Sequence, residues 1–165
     1  MGMDVYGRNA TDTKGEYFRN NVWWWRQLWE FCCEVAPELT EGVSGHMNDG
    51  DGLDADGALE LANLLEEAVD SGRAKEYEDN FNEAMRSIPD EPCPYCESTG
   101  IRKDMFPDKE LSVEVAKRLG RTQGWCNGCD GEGSRRPFCT SYRFSVENVV
   151  EFIGFLKHSG GFSIC

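Results

Sequence analysis

Residues 21–35 read NVWWWRQLWEFCCEV and hold four of the five tryptophans of this 165-residue chain. Asparagine is a favoured N-cap, so Asn20 or Asn21 is expected to begin a helix at about Val22, which Pro37 ends. Its apolar residues recur at helical spacing over more than half of the circumference, which is typical of a helix buried on most sides. They are Trp24, Leu28, Phe31 and Val35, with Trp25, Trp29 and Cys32 in the neighbouring rows. The sequence therefore places this helix at the centre of the fold.

Three further helices are indicated by apolar periodicity and by capping residues. The first follows its N-cap Asp54 and covers about 55–70, and the second covers about 74–88. The third follows its N-cap Ser145 and ends at Gly160. The positions expected to face the core are Leu59, Ala62, Leu65 and Val69 in the first, Tyr77, Phe81, Ala84, Met85 and Ile88 in the second, and Val146, Val149, Val150, Ile153, Phe155 and Leu156 in the third.

Short apolar or alternating runs predict strands at 3–6, 138–144 and 162–165, and a short helix is expected at 111–119. The predicted fold class is α+β and mostly helical. Its parts are a central Trp-rich helix, short strands and an inserted four-cysteine zinc module.

Two Cys-x-x-Cys motifs carry the clearest chemical signal in the chain. Thiolates are soft ligands that bind zinc in such pairs, and two pairs complete a tetrahedral site. The sequence predicts one zinc ion per chain, bound by Cys93, Cys96, Cys126 and Cys129. Two disulfide bonds, or free thiols, are the alternatives.

The two motifs also organise the chain. A length of 165 residues favours a single domain, spanning 1–165. Within it, a zinc module at 92–136 is expected between a helical core at 16–89 and a C-terminal strand and helix at 138–165.

The second motif continues as Cys126-Asn127-Gly128-Cys129-Asp130-Gly131-Glu132-Gly133. This C-x-x-C-x-G-x-G pattern resembles the repeat of the cysteine-rich zinc module of DnaJ-type chaperones. Glycines let the chain turn tightly after the second cysteine, so that N–H groups point at the sulfurs. In the first motif Ser98 stands where the first of these glycines is expected. The chaperone module has four repeats and this chain has two, without the His-Pro-Asp of a J-domain, so the resemblance implies a local zinc fold and no chaperone activity.

A looser resemblance extends over most of the chain. The segments 15–25, 49–57 and 144–148 are similar to small uncharacterised proteins of bacteria and their phages. This resemblance implies a bacterial or phage origin and carries no activity.

The formal net charge of −13 is concentrated in one stretch. Residues 30–91 contain 18 acidic and 3 basic residues, while the rest of the chain contains 12 acidic and 14 basic residues. A concentrated negative field steers a basic partner towards it. The carboxylates expected to be exposed in this stretch are Glu60, Glu66, Glu67, Glu76, Asp79 and Glu83.

The leading expectation is a zinc-stabilised, non-enzymatic binding or regulatory protein, such as a phage or bacterial inhibitor whose acidic face engages a basic protein partner. One alternative is a small-ligand-binding protein or enzyme with a pocket formed by Arg19, Asn21, Trp23, His46 and Asp49. Trp23 is included because successive helical residues are rotated by about 100°, so the three consecutive tryptophans at 23–25 cannot all face the core. Another alternative is nucleic-acid binding by the zinc module. The module has a small surplus of basic residues, and the negative charge of four thiolates on zinc would cancel that surplus.

The sequence contains no apolar run long enough for a transmembrane helix and no signal-peptide pattern at its first residues. Paired Cys-x-x-Cys motifs favour metal binding in a reducing compartment. A cytoplasmic location without membrane contact is therefore expected.

Overall fold

The computed structural model describes residues 2–101, 118, 120 and 126–165. Apart from residue 118, the helix expected at 111–119 lies outside the described residues. Two compact units are present. The main unit comprises Met1–Ala84 with Tyr142–Cys165, and the cysteine unit comprises Met85–Ser141.

An antiparallel sheet forms one layer of the main unit. Its strands are β1 at Gly2–Gly7, β2 at Tyr17–Asn21 and β5 at Phe162–Ile164, in the order β2-β1-β5. Val5 of β1 is the register partner of both Phe18 and Ile164, and all three side chains are buried. The strands predicted at 3–6 and 162–165 are confirmed. β2 is too short and too polar to be predicted from its own pattern.

The helices of the described residues are α1 at Val22–Val35, α2 at Pro37–Thr40, α3 at Ala55–Asp70, α4 at Arg73–Ser87 and α5 at Val146–Ser159. The predicted N-caps Asn21, Asp54 and Ser145 all accept a hydrogen bond from a backbone N–H of the first turn. Gly160 ends α5 in the left-handed conformation, with φ of 60°. The predicted fold class, α+β and mostly helical, is confirmed.

Aromatic rings form the centre of the main unit. The indole of Trp25 stacks on that of Trp29, with ring centroids 5.6 Å apart, and Phe152 meets Trp25 edge-on. Trp25 also donates from Nε1 to the carbonyl oxygen of Gly45 at 2.6 Å, which satisfies its buried N–H. Phe162 of β5 contacts Trp29 and Phe152, so the ring cluster joins α1, α5 and the sheet.

Four residues predicted to face the core are exposed instead. They are Trp24, Leu59, Ala84 and Val150, of which Trp24, Leu59 and Val150 are each about half exposed. In α1 two apolar rows overlap, and the row that contains Trp25 is the one that packs on Phe18 and Phe152. In α5 both Phe152 and Phe155 are buried, and Phe152 was not among the predicted core positions. Local periodicity predicts that a helix has an apolar face, but tertiary contacts determine which residues of that face are buried.

The strand predicted at 138–144 is wrong. Residues Phe138–Ser141 form a 3-10 turn. The carbonyl oxygen of Pro137 accepts hydrogen bonds from both the N–H and the hydroxyl of Thr140, which closes the turn. None of the residues Phe138–Ser141 is buried, so the alternation there does not mark the buried face of a strand.

Among the described residues, no helix combines the length and the apolar character needed to cross a bilayer.

Candidate metal centre

Four cysteine side chains converge in the cysteine unit. Their sulfur atoms all lie within 4.8 Å of one another, and all four residues are buried. The Sγ atoms of Cys93 and Cys126 are 3.9 Å apart, and those of Cys96 and Cys129 are 3.7 Å apart. The two predicted motifs therefore meet at one point, although about 30 residues of chain separate them.

The spacing of the sulfurs fits a tetrahedral metal ion. With metal–sulfur bonds of about 2.3 Å, the edge of a regular tetrahedron of sulfurs is about 3.8 Å. A disulfide bond would bring two sulfurs to about 2.05 Å, and all eight cysteines are free thiols. The four-cysteine cluster is thus able to hold one metal ion, and no disulfide bond joins its sulfurs in this structure.

The two motifs have the same backbone hydrogen bonds. In the first, the N–H groups of Ser98 and Thr99 donate to the carbonyl oxygens of Cys93 and Cys96. In the second, those of Gly131 and Glu132 donate to the carbonyl oxygens of Cys126 and Cys129. The equivalent glycines, Gly100 and Gly133, each donate from N–H to a cysteine sulfur, of Cys96 and Cys129 respectively, at 3.3 Å. Such N–H···S bonds stabilise thiolates that carry negative charge at a metal.

Both turns require left-handed backbone. The φ angles are 51° at Glu97 and 65° at Ser98 in the first motif, and 53° at Asp130 and 84° at Gly131 in the second. Ser98 therefore adopts the same conformation as Gly131 at the equivalent position, despite its side chain. A left-handed conformation costs an L-residue about 1–2 kcal/mol, and the first motif bears this cost.

Burial sets the protonation of the metal-free thiols. Burial raises the pKa of Cys126 to about 12 and also raises the pKa of Cys96. Burial acts in the same direction on Cys93, but hydrogen bonds to its sulfur from the Tyr95 N–H and from neighbouring thiols bring its pKa down to about 7. Four thiolates cannot coexist here at neutral pH without a cation, so metal binding must displace protons.

A stack of side chains lies beside the two motifs. The ring of Tyr95 lies against Gly128, where an added Cβ would come within 2.3 Å of it. The guanidinium of Arg135 lies 5.3 Å from the centroid of the same ring and pairs with the carboxylate of Glu91 at 3.0 Å. Glu91 belongs to β3 at Glu91–Pro92, and Arg135 belongs to β4 at Ser134–Arg135, which pairs with it.

Sequence reasoning missed this stack. The signal that pointed to it is the different third residue of the two motifs, tyrosine in Cys-Pro-Tyr-Cys and glycine in Cys-Asn-Gly-Cys. A large ring in one motif needs a small residue where it packs on the other.

Three residues of the predicted pocket have structural partners. Asn21 uses its side chain to cap α1, and Arg19 forms an ion pair with Asp4 at 3.6 Å. Trp23 stacks on Tyr142 with ring centroids 6.0 Å apart. Trp23 is 39% exposed.

The other two pocket residues lie in the loop that precedes α3. His46 is exposed and follows Gly45, whose carbonyl oxygen is held by Trp25. Asp49 is exposed, and its side chain accepts a hydrogen bond from the N–H of Asp51. The carboxylate of Asp51 in turn accepts from the N–H groups of Ser44 and Gly52, which orders the loop. These bonds account for the acidic residues of the loop as turn-forming groups.

The six acidic residues predicted to be exposed are exposed. Glu66 pairs with Lys157 at 2.6 Å and Asp79 with Lys75 at 2.7 Å. Within the described part of the chain the other four have no ion-pair partner; they are Glu60, Glu67, Glu76 and Glu83.

No protein-family model, curated protein or solved structure matches this chain. The resemblance of 92–136 to the DnaJ-type module therefore stays one of sequence motif.

Ser98→Gly is expected to stabilise the cysteine unit. The substitution removes a left-handed penalty of about 1–2 kcal/mol and adds an unfolded-state entropy cost of about 0.5–1 kcal/mol, which leaves a gain of about 0.5–1 kcal/mol. Zinc affinity measured by competition with a chelator reports it. Ser134→Gly is the matched control, because residue 134 is in a strand and glycine should weaken it. Weaker zinc binding by Ser98→Gly would contradict the interpretation of the turn.

Proposed function

We propose that this chain is a zinc-stabilised, non-enzymatic binding protein whose acidic helical face contacts a basic protein partner. Zinc is the proposed metal because buried, closed sites of four cysteines at this spacing are characteristic of structural zinc. All four coordination positions are supplied by the protein, whereas a catalytic zinc keeps one position for water or substrate. The metal then holds the two motifs together and leaves binding to other surfaces.

The observation that carries the proposed contact is a stripe on α3. Asp56, Glu60, Asn63, Glu67 and Asp70 recur at intervals of four and three residues, so they lie along one line of the helix. All five are exposed, and none of the residues of α3 is basic. The α3 stripe, as we call these five residues, is about 21 Å long at 1.5 Å per residue.

Folding alone gives no reason for this arrangement. Like charges at i and i+4 on a helix destabilise it by a few tenths of a kcal/mol each. The apolar face of α3 is already buried through Ala58, Leu61, Ala62, Leu65 and Ala68. The stripe is on the surface that the fold leaves free, where a partner rich in lysine and arginine would relieve the repulsion.

Charge reversal on the stripe tests the proposal. Glu60→Lys with Glu67→Lys should weaken partner binding at least tenfold, because like charges facing each other across an interface cost several kcal/mol. The partner is captured on the wild-type protein from a bacterial lysate at low salt and identified, and its affinity is then measured by biolayer interferometry over a salt series.

Glu16→Lys with Glu151→Lys is the matched control, since both residues are exposed and the net charge changes by the same amount. If the two double variants weaken partner binding equally, the α3 stripe contributes only through the overall charge of the protein and is not the contact surface. An affinity that does not fall with salt would contradict an electrostatic contact altogether.

A further inference from the structure

A group of exposed aromatic rings lies at the start of α1. The indoles of Trp23 and Trp24 are 39% and 49% exposed. Tyr142 stacks on Trp23 at an interplanar angle of 26° and meets Trp24 edge-on at 79°, with ring centroids 6.0 and 6.3 Å apart. We call these three residues, all of the main unit, the aromatic cluster.

The core does not account for the aromatic cluster. α1 already buries Trp25, Leu28, Trp29, Phe31 and Cys32 on its inner side. Two neighbouring indoles left in contact with water are unfavourable, and exposed tryptophan and tyrosine commonly mark contact surfaces. The rings also hold one another, so little side-chain freedom remains to be lost on binding.

Cations accompany the rings. The guanidinium of Arg26 lies 5.5 Å from the ring centroid of Trp23, and Arg143, next to Tyr142 in the chain, is exposed. The cluster is built from the main-unit segments 17–29 and 142–146, which contain no acidic residue in a chain that has 30. The first carboxylate of α1, Glu30, lies six residues beyond Trp24, about 9 Å along the helix.

We infer that the aromatic cluster binds single-stranded nucleic acid. Partly exposed flat rings beside arginines match a ligand that offers flat rings and negative charges together. Each nucleotide of a single strand has both, a base that stacks on an aromatic ring and a phosphate that pairs with arginine. Trp24 supplies the more exposed stacking surface, and Arg26 and Arg143 supply the cations. This surface is separate from the α3 stripe, which would repel the same ligand.

Fluorescence anisotropy with a labelled deoxythymidine homopolymer of about 15 nucleotides tests the inference, since natural single-strand sites cover about 4–16 nucleotides. The zinc-loaded full chain should bind it, and Trp24→Ala should weaken binding about tenfold. Arg143→Gln should weaken binding. It should also reduce the slope of log affinity against log salt concentration, measured between about 50 and 200 mM salt, by the amount expected for about one phosphate contact.

Tyr6→Ala is the matched control, because Tyr6 is also 49% exposed but lies on β1, outside the cluster. It should bind as the wild type does. Circular dichroism verifies that each variant is folded, which is expected because the replaced rings are half exposed. The inference is overturned if the homopolymer does not bind at about 50 mM salt, the low end of the range used for such titrations. It is also overturned if Tyr6→Ala and Trp24→Ala lose the same affinity. A third contradicting result is displacement of the labelled homopolymer by polyglutamate as effectively as by unlabelled homopolymer, which would assign the surface to an acidic polypeptide.

Discussion

Cys93→Ser is expected to release the metal ion and to unfold the cysteine unit, while the main unit stays folded. The buried cluster of the described cysteine unit consists of the four cysteines alone, so no apolar core replaces the metal. Structural zinc contributes about 10–16 kcal/mol of apparent binding energy at neutral pH, which is comparable to the whole stability of a domain, about 5–15 kcal/mol. The main unit has its own core, built from α1, α3, α5 and the sheet.

Metal analysis and limited proteolysis measure this outcome together. The variant should contain nearly no zinc, and cleavage should concentrate between residues 85 and 141. Cys139→Ser is the control, because Cys139 is an exposed thiol outside the four and the chemical change is identical. A Cys93→Ser protein that keeps a full equivalent of metal, or a Cys139→Ser protein that loses it, would contradict the assignment of the ligands.

Gly133→Ala is expected to weaken zinc binding roughly 30- to 1000-fold. The φ of Gly133 is 80°, and an added Cβ would lie 2.5 Å from the carbonyl oxygen of Ser98. Positive φ costs alanine about 1–2 kcal/mol and the backbone clash adds to it, so a total of about 2–4 kcal/mol is expected. The residue is also central to the site, since its N–H donates to the sulfur of Cys129 and its carbonyl oxygen accepts from Cys93 at 2.9 Å.

Gly42→Ala separates the two causes. Gly42 has φ of 83°, nearly the same as Gly133, but an added Cβ there meets no atom within 4 Å. It lies in the main unit, so its conformational penalty should lower overall stability slightly and leave zinc affinity unchanged. Chelator competition on both variants gives the comparison. An unchanged zinc affinity in Gly133→Ala would mean that the two motifs are not interlocked as described.

Local chemistry in the sequence predicted the ends of the main helices and the composition of the metal site. Asn21, Asp54 and Ser145 are small polar residues directly before an apolar periodic run, and each one is an N-cap in the structure. The four cysteines of the metal centre follow from spacing alone, because a Cys-x-x-Cys pair already fixes half of a tetrahedron. Such signals depend only on neighbours within a few residues.

Orientation was less predictable. Trp24 and Trp25 are the same residue type and are adjacent in sequence, yet Trp25 is fully buried and Trp24 is half exposed. The choice depends on Phe18 and Phe152, which belong to elements far from α1 in the chain. The same holds for β2, which exists because its residues pair with β1 and not because of their own propensity.

The side-chain stack beside the motifs is also a long-range feature. Tyr95 and Glu91 meet Arg135 about 40 residues away in the chain, through contacts that accompany the β3–β4 pair. Charge counts along the sequence locate acidic residues, but the alignment of the α3 stripe emerges only once the helix and its buried face are known. The proposed partner contact thus depends on geometry that composition alone does not contain.

Native mass spectrometry combined with elemental analysis of the purified full chain tests the central claim most directly. One zinc ion per chain is the result the four-cysteine centre predicts, and its removal by a chelator should be accompanied by loss of structure in the cysteine unit alone. A protein that is folded throughout without metal, one that holds two metal ions, or one that binds iron in place of zinc would contradict the account.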